Sequence, residues 1–117
     1  MTLTIYHLKA CDTCRKAIKA VQAAGHNPSL IDVRADGVPA DKLKIIAEAV
    51  GWEKLLNTRS TTWRELGEAD KADMSSQKAL KLMGAHPTLI KRPVIDTGLE
   101  ITVGWTKERS KQNLVRI

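Results

Sequence analysis

In the first third of the chain, the spacing of apolar residues is first that of a β-strand, then that of an α-helix and then again that of a strand. This order limits the folds that the chain can adopt. Residues Thr2–His7 are apolar and β-branched, as in a buried strand, and Ser29–Val33 have the same character. Between them, apolar residues from Cys14 onwards recur with a helical period that ends at Gly25. The pattern predicts a βαβ unit, with parallel strands joined by a right-handed crossover.

Helical patterns dominate the middle of the chain. Pro39 stands where a first helical turn tolerates proline, and the apolar stripe behind it ends at Gly51. Thr62–Glu65 fits a capping box, in which the Thr62 hydroxyl would accept a hydrogen bond at the start of a helix. A further amphipathic helix is predicted to close at Gly84.

Towards the C-terminal end, the spacing of apolar residues changes back from that of helices to that of strands. Strands are predicted at Thr88–Ile90, Val94–Asp96 and Glu100–Val103, with DTG as a hairpin turn between the last two, and a polar helix is predicted over 106–117. The order β-α-β, helices, β-β-α predicts an α/β fold. We expect a thioredoxin-like core with a mixed sheet, interrupted by a helical insertion at about 35–86, within a single domain over 1–117.

Composition narrows the class of protein. The chain has 117 residues, of which 43% are apolar and 27% charged, as is typical of one globular domain. No apolar run approaches the roughly 20 residues of a membrane span, and a signal peptide's pattern is missing, so we expect a cytoplasmic protein with no membrane partner. The formal net charge of +6 permits anion binding. Because the basic residues are scattered and lack aromatic neighbours, nucleic acid is not an expected partner.

Both cysteines of the chain, Cys11 and Cys14, lie in the turn between the first predicted strand and helix. A disulfide across two residues would stabilise the fold little. Helix N-termini favour anions and lower a cysteine pKa. Since Cys11 directly precedes the helix, with Asp12 and Thr13 as its expected caps, we predict Cys11 to be a nucleophile and Cys14 a candidate resolving thiol.

Two other interpretations of this cysteine pair stay open. Zinc would need about four ligands, and His7, His26 and His86 stand at no recognisable spacing to complete such a site, so no metal is expected. Both cysteines could instead be inert buried residues. Charged neighbours, among them Lys9, argue against this second interpretation.

Basic residues near the predicted turn are the candidate anion-binding groups. Arg15 follows the cysteine pair, and Lys91 and Arg92 precede Pro93 at the start of a predicted strand. In a thioredoxin-like core this proline would face the cysteine turn. An arginine fork suits a tetrahedral oxyanion or a carboxylate. The guanidinium of Arg59 is a second candidate to bind such an anion, or Arg59 is an ordinary surface charge.

The motifs ACDTCRKA, NTRST, IKRPV and TVGW, in this order, resemble the arsenate reductase (ArsC) family, including its YffB-like and Spx branches, over essentially the whole chain. The resemblance implies a thioredoxin-like fold with a helical insertion. It also implies Cys11 as nucleophile, Arg59 and Arg92 as anion-binding residues, and Pro93 as the family's cis proline. A further arginine of arsenate-reducing members has no match in DTGLEITVGW, which argues against arsenate as the substrate.

The cysteine turn separates the branches of the family. Arsenate-reducing members with glutaredoxin partners typically follow one cysteine with Gly-Thr-Ser, where this chain has Asp12-Thr13-Cys14. The resemblance to YffB-like proteins implies a thiol reductase without a tightly bound cofactor. Its reductant would be glutathione or glutaredoxin, and its substrate a small oxyanion or a disulfide. The second cysteine also resembles Spx, which implies, as the alternative, a redox sensor that binds RNA polymerase through the α-subunit. The shorter C-terminal end favours the reductase.

Overall fold

The structure, a computed structural model, describes residues 3–105, and the predicted closing helix over 106–117 lies outside them. A βαβ unit opens the fold, a block of helices follows, and a hairpin ends the described part. The strands are β1 Thr4–His7, β2 Ser29–Asp32, β3 Val94–Asp96 and β4 Ile101–Val103. The helices are α1 Asp12–Ala23, α2 Ala40–Val50, α3 Trp52–Leu55, α4 Thr61–Glu65, α5 Glu68–Lys71 and α6 Ser76–Ala85, followed by a 3₁₀ turn at Pro87–Leu89.

The strands form one mixed sheet with the order β2-β1-β3-β4. β1 runs parallel to β2, with Tyr6 opposite Ile31, and antiparallel to β3, with Ile5 opposite Ile95. β3 and β4 are antiparallel neighbours joined through the predicted hairpin turn. The parallel βαβ unit and the mixed thioredoxin-like sheet are thus confirmed. Helices α2 to α6 lie between β2 and β3, where the sequence predicts an insertion, whereas the assignment to a single domain stays a prediction.

The two faces of the sheet pack against different helices because successive strand residues point to opposite sides. Tyr6 and Val94 face the larger core, which the inserted helices complete with Leu43, Met83 and other buried residues. The smaller core combines Ile5 and Ile95 of the opposite face with Val21 of α1, and Trp105 packs against it. No helix within residues 3–105 is long and apolar enough to cross a bilayer.

The strand predicted at Thr88–Ile90 is wrong. Residues Pro87–Leu89 form a 3₁₀ turn, closed by hydrogen bonds from Leu89 N to His86 O at 2.9 Å and from Ile90 N to Pro87 O at 3.0 Å. Proline fixes φ and has no N–H, which suits the first position of a helical turn better than a sheet interior. In place of the predicted strand, Ile90 forms an isolated β-bridge with Leu56.

The capping box predicted at Thr62 is also wrong, by two residues. Ser60 is the N-cap of α4, and its hydroxyl accepts from Trp63 N at 3.2 Å. Serine and threonine are both favoured N-cap residue types, so local chemistry did not separate Ser60 from Thr62. The Thr62 hydroxyl instead lies 2.7 Å from the Thr88 hydroxyl, in the 3₁₀ turn.

Candidate active site

The turn between β1 and α1 carries both cysteines. Cys11 N donates to Leu8 O at 2.9 Å, and Arg15 N donates to Cys11 O at 3.1 Å as the first bond of the helix. Cys11 is therefore the N-cap residue of α1, with an extended backbone. The predicted capping by Asp12 and Thr13 is wrong, because both lie inside the helix. Asp12 pairs instead with Arg15 at 3.0 Å on the surface.

The two thiols lie in different surroundings. Cys14 shares the buried face of α1 with Ala17 and Val21, three and seven residues further on, and it is 0% exposed. Cys11, at the helix start, is partly exposed. Both are free thiols, with no disulfide between them. A dissolved reactant can therefore meet Cys11 directly, whereas Cys14 is covered.

The pKa of Cys11 lies below its ordinary value. Partial burial acts to raise this pKa, but several interactions outweigh it. These are contacts of the Cys11 sulfur with the backbone and thiol of Cys14, the positive charge of Arg92, and the backbone of Thr13. The backbone contributions come from the N-terminal end of α1, where free N–H groups stabilise an anion. Cys11 is thus prepared to react as a thiolate.

Cys14 is shifted in the opposite direction. Burial raises the pKa of Cys14 to about 12, and the hydrogen bond to Cys11 together with the charge of that neighbour adds to the increase. Backbone hydrogen bonding at Leu8 and the charge of Arg92 lower the pKa without compensating for burial. At neutral pH, Cys14 is therefore a protonated thiol that donates to the Cys11 sulfur.

Arg92 is the charged residue that the structure brings to the cysteine turn. Its Nη1 donates to Thr88 O and to Ile90 O, both at 2.9 Å, and these bonds fix the guanidinium. Its Nε is buried and has no hydrogen-bond partner within residues 3–105. The Arg92–Pro93 peptide bond is cis, as the family resemblance implies, and Pro93 is buried. The charge of Arg92 lowers the pKa of both cysteines.

The other predicted basic residues lie on the surface. Arg15 is engaged by Asp12 in an exposed ion pair. Lys91 is exposed, and its backbone N donates to Leu55 O at 2.8 Å. Arg59 is exposed in the loop before α4, and its guanidinium has no hydrogen bond or ion pair in the described part of the chain. The structure thus joins Arg92, but not these three residues, to the thiols.

Asp32, at the end of β2, supports the cysteine turn and was missed by the sequence reasoning. One carboxylate oxygen accepts from Lys9 N at 3.2 Å, and the other accepts from Arg34 N and Ala35 N, both at 2.9 Å. The backbone bond from Ala35, followed by those from Arg34 and Lys9, holds the pKa of Asp32 below its usual value against the effect of burial. An aspartate near the end of the predicted strand Ser29–Val33, ahead of a turn, is a signal that could have drawn attention to Asp32, though not to its contact with Lys9.

Metal binding has no support in the described region. Within residues 3–105, no group of three or more histidine, cysteine, aspartate or glutamate side chains is arranged to hold an ion. The groups that the described site does present are the two sulfurs and the charge of Arg92 beside them.

Comparison with known proteins identifies the family. The model of the ArsC family matches residues 6–113. An uncharacterized protein of Haemophilus influenzae is 37% identical over 106 residues, which cover 91% of this chain and 93% of that protein. The arsenate reductase of Escherichia coli K12 is 31% identical over 99 residues, covering 83% of this chain and 70% of the reductase.

A solved structure agrees with these sequence matches. The structure of a YFFB protein superimposes with a TM-score of 0.90 at 36% identity, covering 97% of this chain and 99% of that one. The resemblance first seen in the short motifs around Cys11, Arg59 and Arg92 is thereby confirmed at the level of the family. The chain belongs to the ArsC family and is a thiol-dependent oxidoreductase with the thioredoxin-like fold.

Proposed function

We propose that this protein is a cytoplasmic, glutathione-linked thiol reductase in which Cys11 is the nucleophile and Cys14 the resolving thiol. The observation that carries the proposal is the pair of opposite pKa shifts at the start of α1. Cys11 is partly exposed with a lowered pKa, and Cys14 is buried and protonated beside it. A nucleophile needs access and thiolate character, and Cys11 combines both.

The first step is an attack by the Cys11 thiolate on one sulfur of a disulfide. A bond forms between Cys11 Sγ and that sulfur, the original sulfur–sulfur bond breaks, and the other sulfur leaves as a thiolate. In turnover this reactant is a disulfide other than glutathione disulfide, because glutathione is the reductant that closes the cycle. Glutathione disulfide itself probes this first step in a single turnover. A small oxyanion is the second substrate class that the proposal admits, because the site combines a thiolate with nearby cationic residues.

Cys14 then resolves the mixed disulfide. Once Cys11 is covalently bound, its negative charge is gone, and one cause of the raised Cys14 pKa disappears while Arg92 still favours a thiolate. Cys14 Sγ attacks Cys11 Sγ, the bound thiol leaves, and a Cys11–Cys14 disulfide forms. Two glutathione molecules return this disulfide to the dithiol and are themselves oxidised to glutathione disulfide.

The exposed basic residues are proposed to hold the anionic parts of the reactant. Glutathione carries two carboxylates, which arginine binds through paired N–H donors. Arg59 has a free guanidinium in the described region, and Arg15 and Lys91 are also on the surface. Arg92 has the different task of stabilising the thiolates, because Nη1 is already bound to two carbonyls.

Intact-mass measurement after incubation with glutathione disulfide tests the proposal, using wild type, Cys11→Ser and Cys14→Ser. We expect one glutathione adduct to accumulate in Cys14→Ser, because the first step proceeds and the second is blocked. Wild type should instead lose two hydrogens through its internal disulfide, and Cys11→Ser should stay unmodified.

Two results would contradict the assignment. An adduct on Cys11→Ser would show that Cys11 is not the thiol that attacks. A glutathione adduct that persists in wild type, with the same yield as in Cys14→Ser, would remove the resolving role of Cys14.

A further inference from the structure

We propose that the hydroxyl pair of Thr62 and Thr88 is a positioning contact, through which the short helix α4 holds the Arg92 guanidinium beside the two thiols. This inference rests on the proposed role of Cys11. The inference adds that Thr62 and Thr88 influence the reactivity of Cys11 without contacting its thiol. Neither hydroxyl belongs to the motifs by which the sequence indicates the site.

The contact joins two segments that are far apart in the sequence. The Thr62 and Thr88 hydroxyl oxygens lie 2.7 Å apart across 26 residues, and both side chains are half-buried. Helix α4 has five residues and none of them is fully buried. Trp63 packs α4 against the larger core, and the short hydrogen bond at its first turn adds a directional attachment to the 3₁₀ turn.

Thr88 transmits this attachment to Arg92 through its backbone. The Thr88 carbonyl accepts from Arg92 Nη1 at 2.9 Å, and Ile90 O provides the second acceptor for the same nitrogen. Both acceptors belong to the 3₁₀ turn and its end, so a displacement of that turn displaces the guanidinium. The hydroxyl of Thr88 faces α4 while its carbonyl faces Arg92, which makes this one residue the link between them.

The guanidinium has few other bonds to keep it in place. Arg92 Nε is buried without a hydrogen-bond partner within residues 3–105, and a buried donor in this condition is unfavourable. A loosened turn would allow the side chain to move to a position where Nε finds an acceptor. Because the attraction between charges falls with distance, such a movement would weaken the stabilisation of the Cys11 thiolate by Arg92.

The same helix also positions the loop that carries Arg59. Ser60 caps α4 through its hydroxyl, which accepts from Trp63 N at 3.2 Å and donates to Asn57 O at 3.1 Å. The backbone on both sides of Arg59 is thereby tied to the start of α4. The contact between the Thr62 and Thr88 hydroxyls thus links the loop of the exposed Arg59 to the half-buried Arg92 beside the thiols.

The test compares Thr62→Val, which removes the hydroxyl at nearly constant shape, with Thr62→Ser, which keeps it. The rate of Cys11 alkylation by iodoacetamide is measured against pH on the full chain, alongside thermal unfolding. We expect Thr62→Val to raise the pKa of Cys11 by about half a unit, which lowers the alkylation rate roughly threefold at pH values well below the wild-type pKa. Thr62→Ser should match wild type. Thr61→Val, an exposed threonine of the same helix, serves as the control and should change neither the profile nor the rate.

A second variant guards against an effect of misfolding. Thr88→Val should reproduce the shift of Thr62→Val, and the double variant should show no further shift, because both remove one contact. A lowered melting temperature with an unchanged pH profile would overturn the proposal and leave a purely structural bond. An ordinary cysteine pKa in wild type would instead contradict the proposed function itself, so the two failures are distinguishable.

Discussion

The cysteine turn and the loop before α4 both carry residues that the ArsC family resemblance assigns to the site, but the fold treats them differently. The turn is held between β1 and the buried face of α1, and Cys14 within it is 0% exposed. The loop presents Arg59 to solvent, where the structure gives its guanidinium no partner in the described part of the chain. The pKa of the thiol therefore depends on buried contacts, whereas under the proposed function the recognition of an anionic reactant falls to exposed groups such as Arg59.

The largest effect should come from the turn. Cys11→Ser removes the only thiolate that a dissolved disulfide can reach, so we expect the rate of the first reaction with glutathione disulfide to fall by at least about 1,000-fold. Intact-mass measurement of the loss of unmodified protein with time at pH 7 gives this rate. Cys14→Ser is the matched control, since it keeps the first step at near wild-type speed. Equal rates in Cys11→Ser and wild type would show that the cysteine turn does not supply the nucleophile.

Burial of Cys14 should be visible in the pH dependence of stability. Its folded-state pKa, raised to about 12, lies above the ordinary value near 8.5, so its protonated form stabilises the fold below pH 8.5 and this stability is lost as pH rises towards 12. Over this window, wild type should lose up to about 1.4 kcal/mol of unfolding free energy per pH unit relative to Cys14→Ala. Urea unfolding at several pH values measures the difference. Parallel pH curves for the two proteins would show that Cys14 is not held protonated.

A matched pair of arginine variants sharpens the comparison directly. Arg92→Met should raise the pKa of Cys11 by about one unit, and so lower its alkylation by neutral iodoacetamide roughly tenfold at pH values well below the wild-type pKa. Arg59→Met should leave the same pH profile unchanged, because Arg59 does not contribute to the shift. The measurement is the alkylation rate from pH 4 to pH 10. Equal shifts in both variants would place the two arginines in the same role.

The smallest effect is expected at the surface. Arg59→Ala should raise the glutathione disulfide concentration that half-saturates the first reaction of Cys11 (its KM) about threefold to tenfold and leave the maximum rate (its kcat) nearly unchanged, because an exposed ion pair with a carboxylate contributes little energy. Arg64→Ala, which removes a neighbouring exposed arginine whose Nη2 donates to Arg59 O, is the control for general charge. A loss confined to kcat would show that Arg59 acts on the reacting atoms.

The βαβ unit and the hairpin were predictable because local periodicity reports them, from the strand pattern before Cys11 to the DTG turn. Two local errors arose because residue type alone did not decide the structure. Ser60 and Thr62 are equally suitable caps by type, and the β-branched Thr88 and Ile90 suggested a strand although Pro87 starts a 3₁₀ turn. The closing helix over 106–117 and the RNA polymerase alternative stay predictions.

The site was predictable in its residues and not in its energetics. Spacing places Cys14 one turn after Cys11, but only packing determines that Cys14 is fully covered and that its pKa is so high. The support from Asp32, and the contact between Thr62 and Thr88, join segments that are about 20 or more residues apart. Such long-range pairs leave no mark in a local sequence pattern.

The unequal burial of the two thiols also has a practical consequence. Since Cys11 and Cys14 are the only cysteines of the chain and only Cys11 is open to solvent, a fluorescent or spin label applied near neutral pH should attach at one position without engineered cysteines. That position is the redox turn itself. The native sequence therefore provides its own attachment point for a reporter, from which movements around Arg92 and α4 can be followed spectroscopically.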